Sequence, residues 1–239
     1  MKRREFLTSI TALGVATTIP GLSKAEVVNG GQPWEPGTIQ TPPAPPKKGG
    51  LQYLNQHEFD TVGAIAERFI PADETSLSGK DAGCAIFIDR QLAGDYGNAV
   101  AVYRLGKFVK GTPEQGPQSP LTPAQRYRLG LAALDNAMQK QYGKDFVALS
   151  GEQQDQVLMA MEKNSLDLGA DVETKVFFEL LLQNVREGFL SDPIYGGNKE
   201  MTSWKMIGFP GARYDFRDLL PKKGQKLNII PTSLIDNTL

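Results

Sequence analysis

The 239-residue sequence predicts an all-α fold, a single helical bundle domain with an extended proline-rich N-terminal arm and an irregular C-terminal segment rich in glycine and aromatics. Three observations carry this. Apolar residues recur at helical spacing in several separate stretches, capping residues stand before those stretches, and no sustained period-two alternation lies between them. The first helix opens at Asn55, with Glu58 three residues on to complete a capping box. Phe59, Val62, Ile65 and Phe69 then share one face until Pro71 stops the run. Ala82 to Leu92 predicts a short apolar second helix, and Tyr96 to Val109 a weaker third closed by Gly111 and Pro113. After a loop over 111–120, Thr122-Pro123-Ala124-Gln125 offers an N-cap, a proline at the first helical position and a glutamine at the third. Tyr127, Leu131, Leu134 and Met138 make the stripe of that helix. Ser150 with Gln153 caps another, carrying Val157, Leu158 and Met161, and Asp171 opens the last long one. Its inward residues are expected to be Val176, Phe177, Leu180, Leu181 and Phe189.

Beyond Phe189 the texture changes. Asp192-Pro193-Ile194-Tyr195-Gly196-Gly197-Asn198 reads as a turn-rich loop, and Trp204, Phe209, Arg213, Tyr214 and Phe216 follow without a helical period. Such a stretch either covers the end of a bundle or presents aromatics to another molecule. Trp, Tyr and Arg are the types enriched at interface hot spots, so Tyr195, Trp204, Phe209, Arg213, Tyr214 and Phe216 are the candidate partner contacts here.

Composition narrows the function classes. The 26 Lys+Arg are matched by 27 Asp+Glu, which argues against a nucleic-acid binder. The single cysteine, Cys84, precludes an internal disulfide and any CxxC or haem-attachment motif, and its apolar neighbours suit a buried small hydrophobe. The single histidine, His57, rules out metal sites built on two or three histidines of one chain, while a carboxylate-only Ca²⁺ or Mg²⁺ site stays open. No GxGxxG fingerprint or P-loop is present.

The first 25 residues read as an export signal, with Ser23-Lys24-Ala25 as the cleavage region and Ala25 its last residue. Arg3-Arg4-Glu5-Phe6-Leu7, ahead of a weakly apolar stretch, resembles the twin-arginine signal; a general secretory signal containing two arginines is the alternative. Arg3, Arg4, Phe6 and Leu7 are thus the export residues. Removing four Lys/Arg and one Glu with this segment takes the net charge from −1 to −4. The twin-arginine route carries folded, often cofactor-loaded proteins. A chain without a cofactor motif that bears such a signal is consistent with one that escorts a cofactor-bearing partner. Residues 26–50 form a linker or arm whose prolines favour polyproline II and whose Trp34 is a further candidate contact; residues 51–239 form the helical domain.

Few residues suggest chemistry of their own. His57 sits on the first turn of a helix, as a surface residue or a base. Asp73-Glu74 is a carboxylate pair at a helix end, fit for acid–base work or for a solvated turn paired with Arg68 or Lys80.

Several long motifs resemble one family in order. They are Arg68-Phe69-Ile70-Pro71-Ala72-Asp73-Glu74, Phe87-Ile88-Asp89, Leu121-Thr122-Pro123-Ala124-Gln125 and Phe177-Phe178-Glu179-Leu180, then Gly188 to Asn198 and Ile207 to Asp215. With the signal, the likeness spans roughly residues 1–8 and 53–220 and is to the small (gamma) subunit, subunit 3, of gluconate 2-dehydrogenase. Cys84 and Ser78 depart from the commoner small aliphatic residue and proline. The resemblance implies a non-catalytic chain holding no cofactor, which assists export, maturation and stability of an FAD-bearing catalytic subunit. A multihaem cytochrome c subunit, the twin-arginine machinery and a periplasmic site on the inner membrane, reached indirectly through the complex, are implied with it. Related small subunits serve sorbitol, fructose and glucose dehydrogenases. From the residues alone, a free-standing periplasmic enzyme and a solute-binding module remain as rivals.

Overall fold

The computed structural model describes residues 49–235 apart from 105, 110, 113, 114, 116–118 and 214. Six α-helices occur among the described residues: α1 Gln56–Phe69, α2 Cys84–Ala93, α3 Pro123–Tyr142, α4 Gly151–Glu162, α5 Thr174–Leu190 and the short α6 Thr202–Ile207. The described residues contain no β-strand, only an isolated bridge between Gly211 and Thr232. The all-α expectation holds. The signal residues Arg3, Arg4, Phe6 and Leu7, the cleavage residue Ala25 and the arm with Trp34 lie outside the described residues, as does Tyr214.

Three helices start where capping chemistry says they should. The Glu58 amide donates to Asn55 Oδ1 and the Asn55 amide to Glu58 Oε2, both at 2.9 Å. Thr122 with Gln125, and Ser150 with Gln153, close α3 and α4 in the same reciprocal way. Glu58 is itself buried and forms an ion pair with Arg128, so the cap of α1 also ties that helix to α3. Arg68 grips Asp155 with two 2.7 Å bonds, tying the other end of α1 to α4.

α5 is the centre of the bundle and packs against each of the other five α-helices. Its adjacent Phe177 and Phe178 are both buried, pointing to different neighbours, with Leu181, Val185 and Phe189 below them. Phe177 meets Tyr127 edge-on at 6.0 Å and Phe178 meets Phe69 at 5.4 Å. A helix buried over so wide an arc needs apolar residues on more than one stripe. The single-face reading accordingly missed Phe178 and Val185, and Val176 and Leu180 are only half-buried. Two glycines set how closely neighbours approach. A Cβ on Gly130 would lie 2.5 Å from the Phe177 ring, and one on Gly188 2.9 Å from Phe87. Buried Asn184 accepts from the Tyr127 hydroxyl (3.0 Å) and donates to Tyr96 (3.0 Å) and Glu187 (2.9 Å), so the polar group inside the core is satisfied.

Three expectations are corrected. The described residues of 96–109 form no helix: turns run over 95–101 and irregular backbone follows over 102–104 and 106–109. Ala99 takes the left-handed region at φ 53°, and Val100, Val102, Tyr103 and Val109 are each more than 60% exposed, so no buried face supports a helix there. Asp171 does not open α5; Glu173 is its N-cap, after a bend at Gly169 with φ 96°. The second helix begins at Cys84 rather than Ala82, because Gly83 at φ 85° breaks the helical path.

Candidate functional site

The aromatic C-terminal segment wraps the end of the bundle where α2 and α5 meet. It carries α6 and several 3₁₀ turns that the lack of periodicity did not suggest, since six residues are too few to show a period. The wrap is fastened by a handful of buried polar groups. Asn198, fully buried with φ 48°, donates to the Ser191 carbonyl (2.9 Å) and accepts from the Ser203 amide (3.0 Å) and hydroxyl (2.8 Å). The Lys199 amide donates to the Ala82 carbonyl at 3.0 Å, joining the wrap to the start of α2. Asp192 accepts from the Ile194 amide, the Ser233 hydroxyl and the Leu234 amide at 2.9, 2.7 and 3.0 Å, holding the chain's last described residues. Arg217 holds the Asp215 carboxyl down at about 2, chiefly through its side-chain hydrogen bonds.

Against this frame the candidate contacts divide. Trp204 is 5% exposed; its indole N–H donates to the Leu190 carbonyl (2.9 Å) and its ring packs on Phe209 at 5.1 Å. The Arg213 side chain is likewise 5% exposed, paired with Asp218 and stacked near Phe216. Both are placed as internal residues of this chain rather than as free surface. Tyr195, Phe209 and Phe216 are exposed, and the structure adds Leu190, Met206 and Ile207, which sequence reading passed over. The signal for the latter two was present in Met206-Ile207-Gly208, an apolar pair at the end of a helix too short to bury both sides. The wrap therefore exposes several large apolar side chains above a hydrogen-bonded frame.

Of the residues considered for chemistry, Glu74 is exposed and the others are engaged elsewhere. Asp73 accepts from the amide and hydroxyl of Thr75 and from the Ser76 amide, and the Thr75 hydroxyl above all lowers its pKa. That is a turn, held ionised, and the reverse of a raised catalytic acid. Arg68 pairs with Asp155 and Lys80 with Glu67 (3.5 Å), not with the turn. Cys84 is free and buried, and desolvation pushes its thiol up to about 12, far from a thiolate nucleophile. His57 Nε2 lies 2.8 Å from Asp135, which raises the imidazole pKa. Asp145 completes a trio whose ligand atoms lie within 4.8 Å of one another, but its carboxylate also accepts from Gln139 at 2.6 Å. A cavity of about 110 Å³ opens between Arg126, Glu173 and Phe177; roughly 300–1,000 Å³ is usual for drug- or cofactor-sized ligands, so it is too small for a flavin.

Residues 56–211 match the family described as gluconate 2-dehydrogenase subunit 3, which is more than half of the chain. No curated protein and no solved structure matches.

Proposed function

The chain belongs to the gluconate 2-dehydrogenase subunit 3 family, and from that premise we propose that it is the non-catalytic small subunit of a periplasmic dehydrogenase complex oxidising D-gluconate to 2-dehydro-D-gluconate. Family membership makes it one subunit among partners; the division of labour is our reading. An FAD-bearing catalytic subunit removes two electrons and two protons at carbon 2. A multihaem cytochrome c subunit passes the electrons to a membrane quinone. This chain assists export, maturation and stability of the flavoprotein, and holds it through the apolar wrap around Tyr195, Ile207 and Phe209.

The observation that carries the reading is the joint presence of the family match over 56–211 and Arg3-Arg4-Glu5-Phe6-Leu7 at the N-terminus. The side-chain geometry supports it, since Asp73, Cys84 and His57 are committed to a turn, a core and an ion pair. No helix among the described residues is long and apolar enough to cross a membrane. The test is the Arg3→Lys/Arg4→Lys variant, which keeps charge but removes the paired guanidinium groups. Cell fractionation should then find both this chain and the flavoprotein in the cytoplasm. Undiminished flavoprotein in the periplasm would defeat the shared-signal role.

A further inference from the structure

The linker between α2 and α3 carries a second apolar surface, apart from the wrap. Val100, Val102, Tyr103, Phe108 and Val109 are 66, 62, 82, 44 and 68% exposed within ten residues. Single exposed apolar side chains are ordinary, but five large ones in one short segment are not. The segment is held at its base: the Ala124 amide donates to the Gly97 carbonyl at 3.1 Å, and Arg104 donates to the Pro120 carbonyl. Its apolar side chains are therefore displayed from an anchored loop, on irregular backbone that gives them no common core face.

Charge decides what such a loop meets. Between Asp95 and Glu114 the sequence has no acidic residue and three cations, Arg104, Lys107 and Lys110, in a chain whose overall charge is −1. Lys107 is exposed, and Arg104 donates to a neutral carbonyl, with no carboxylate partner among the described residues. Cations interleaved with valine, tyrosine and phenylalanine suit the boundary of an anionic bilayer. There the apolar ends sink below the headgroups, Tyr stays at their level, and Lys and Arg reach back to lipid phosphates. Tyr103, Arg104 and Phe108 would suit a protein partner as well, but Lys is depleted at protein interfaces and Val is under-represented among hot spots, so the exposed valines and the run of cations without an acidic residue favour anionic lipid. We propose that the 100–109 loop is a peripheral membrane contact that inserts into the interface of anionic lipid. This goes beyond the subunit reading and does not depend on it, since the contact needs no partner chain.

The experiment uses the full chain with a reporter placed in the loop, so that binding through the N-terminal segment does not register. Tyr103→Cys is labelled with an environment-sensitive fluorophore; Cys84, the native cysteine, is buried and protected. With phosphatidylglycerol vesicles the emission should shift to the blue and be quenched by lipids brominated along the acyl chain. With phosphatidylcholine vesicles it should stay as in buffer. Adding Lys107→Gln should weaken the response about fivefold, the factor for roughly one phosphate-facing charge. Adding Val100→Ser/Val102→Ser should abolish the quenching while the circular dichroism of the bundle is retained. An unshifted probe on phosphatidylglycerol, under conditions where the chain sediments with the vesicles, would overturn the proposal. So would vesicle insertion unaffected by these substitutions, or loss of the flavoprotein from the Val100→Ser/Val102→Ser chain with insertion intact, which would make the loop a protein interface.

Discussion

The bundle from α1 to α5 and the C-terminal wrap are built on different physics within one chain. In the bundle, stability comes from side chains such as Ile65, Leu134 and Leu181, each fully buried, interlocked around α5. In the wrap it comes from buried polar residues, Asn198 and Ser203 foremost, that satisfy backbone groups a regular helix would have satisfied itself. Apolar packing is distributed and cooperative, whereas a polar hub is concentrated in one residue. The bundle should thus fail globally and gradually with mutation, and the wrap locally and abruptly.

The largest expected effect lies in the bundle. Leu181→Ala removes a side chain of 0% exposure from the central helix and should cost about 2–5 kcal/mol. Denaturant unfolding followed by circular dichroism checks this, and a loss below about 1 kcal/mol would mean α5 is not the centre of packing. Next comes the wrap. Asn198→Ala orphans the Ser191 carbonyl and the Ser203 amide and should cost about 1–3 kcal/mol, felt locally. Trp204 fluorescence and proteolysis near residue 200 should change while the helical signal persists; simultaneous loss of both would erase the distinction between the two regions. A smaller effect tests whether helix ends in the bundle matter independently of packing. Thr122→Ala breaks the cap of α3 and should cost about 1 kcal/mol, with Thr122→Ser close to wild type.

The smallest effect is electrostatic and sits on the bundle surface. Asp135 holds the His57 pKa above 6.5. Because the folded value is the higher one, the stabilisation is full below 6.5 and disappears as pH rises through the folded pKa. His57 is 44% exposed, so solvent screens the pair and the stability change should be slight. The NMR titration of the imidazole is the sharper measurement, and Asp135→Asn should bring the midpoint back toward 6.5.

The same contrast explains which features could be read in advance. Asn55, Thr122 and Ser150 each act within four residues of chain, so capping was legible as spacing alone. The stripe from Tyr127 to Met138 was legible because one face of α3 is buried. α5 was half-legible: its apolar content was visible, but the burial of Phe178 depends on Phe69, 109 residues away in sequence. Residues 96–109 were misread because valines and a tyrosine suggest a buried face, and only the folded chain shows Val100, Val102, Tyr103 and Val109 exposed. In the candidate contact surface, aromatic content marked the right segment. It did not separate Trp204, which turns inward to the Leu190 carbonyl, from Tyr195, which faces solvent.

Sequence by itself determined the helical class, the starts of three helices, the absence of an internal disulfide, and the motifs shared with subunit 3 of gluconate 2-dehydrogenase. All of these depend on residue identity or on interactions within a few positions, where chain geometry leaves little choice. Tertiary structure alone decided that α5 is central, that Glu58 and Arg68 tie α1 to its neighbours, and that Asn198 fastens the wrap. It also decided which apolar residues stay at the surface. Burial is a property of what else comes to rest against a side chain, and that partner is set by long-range packing, which no local pattern encodes.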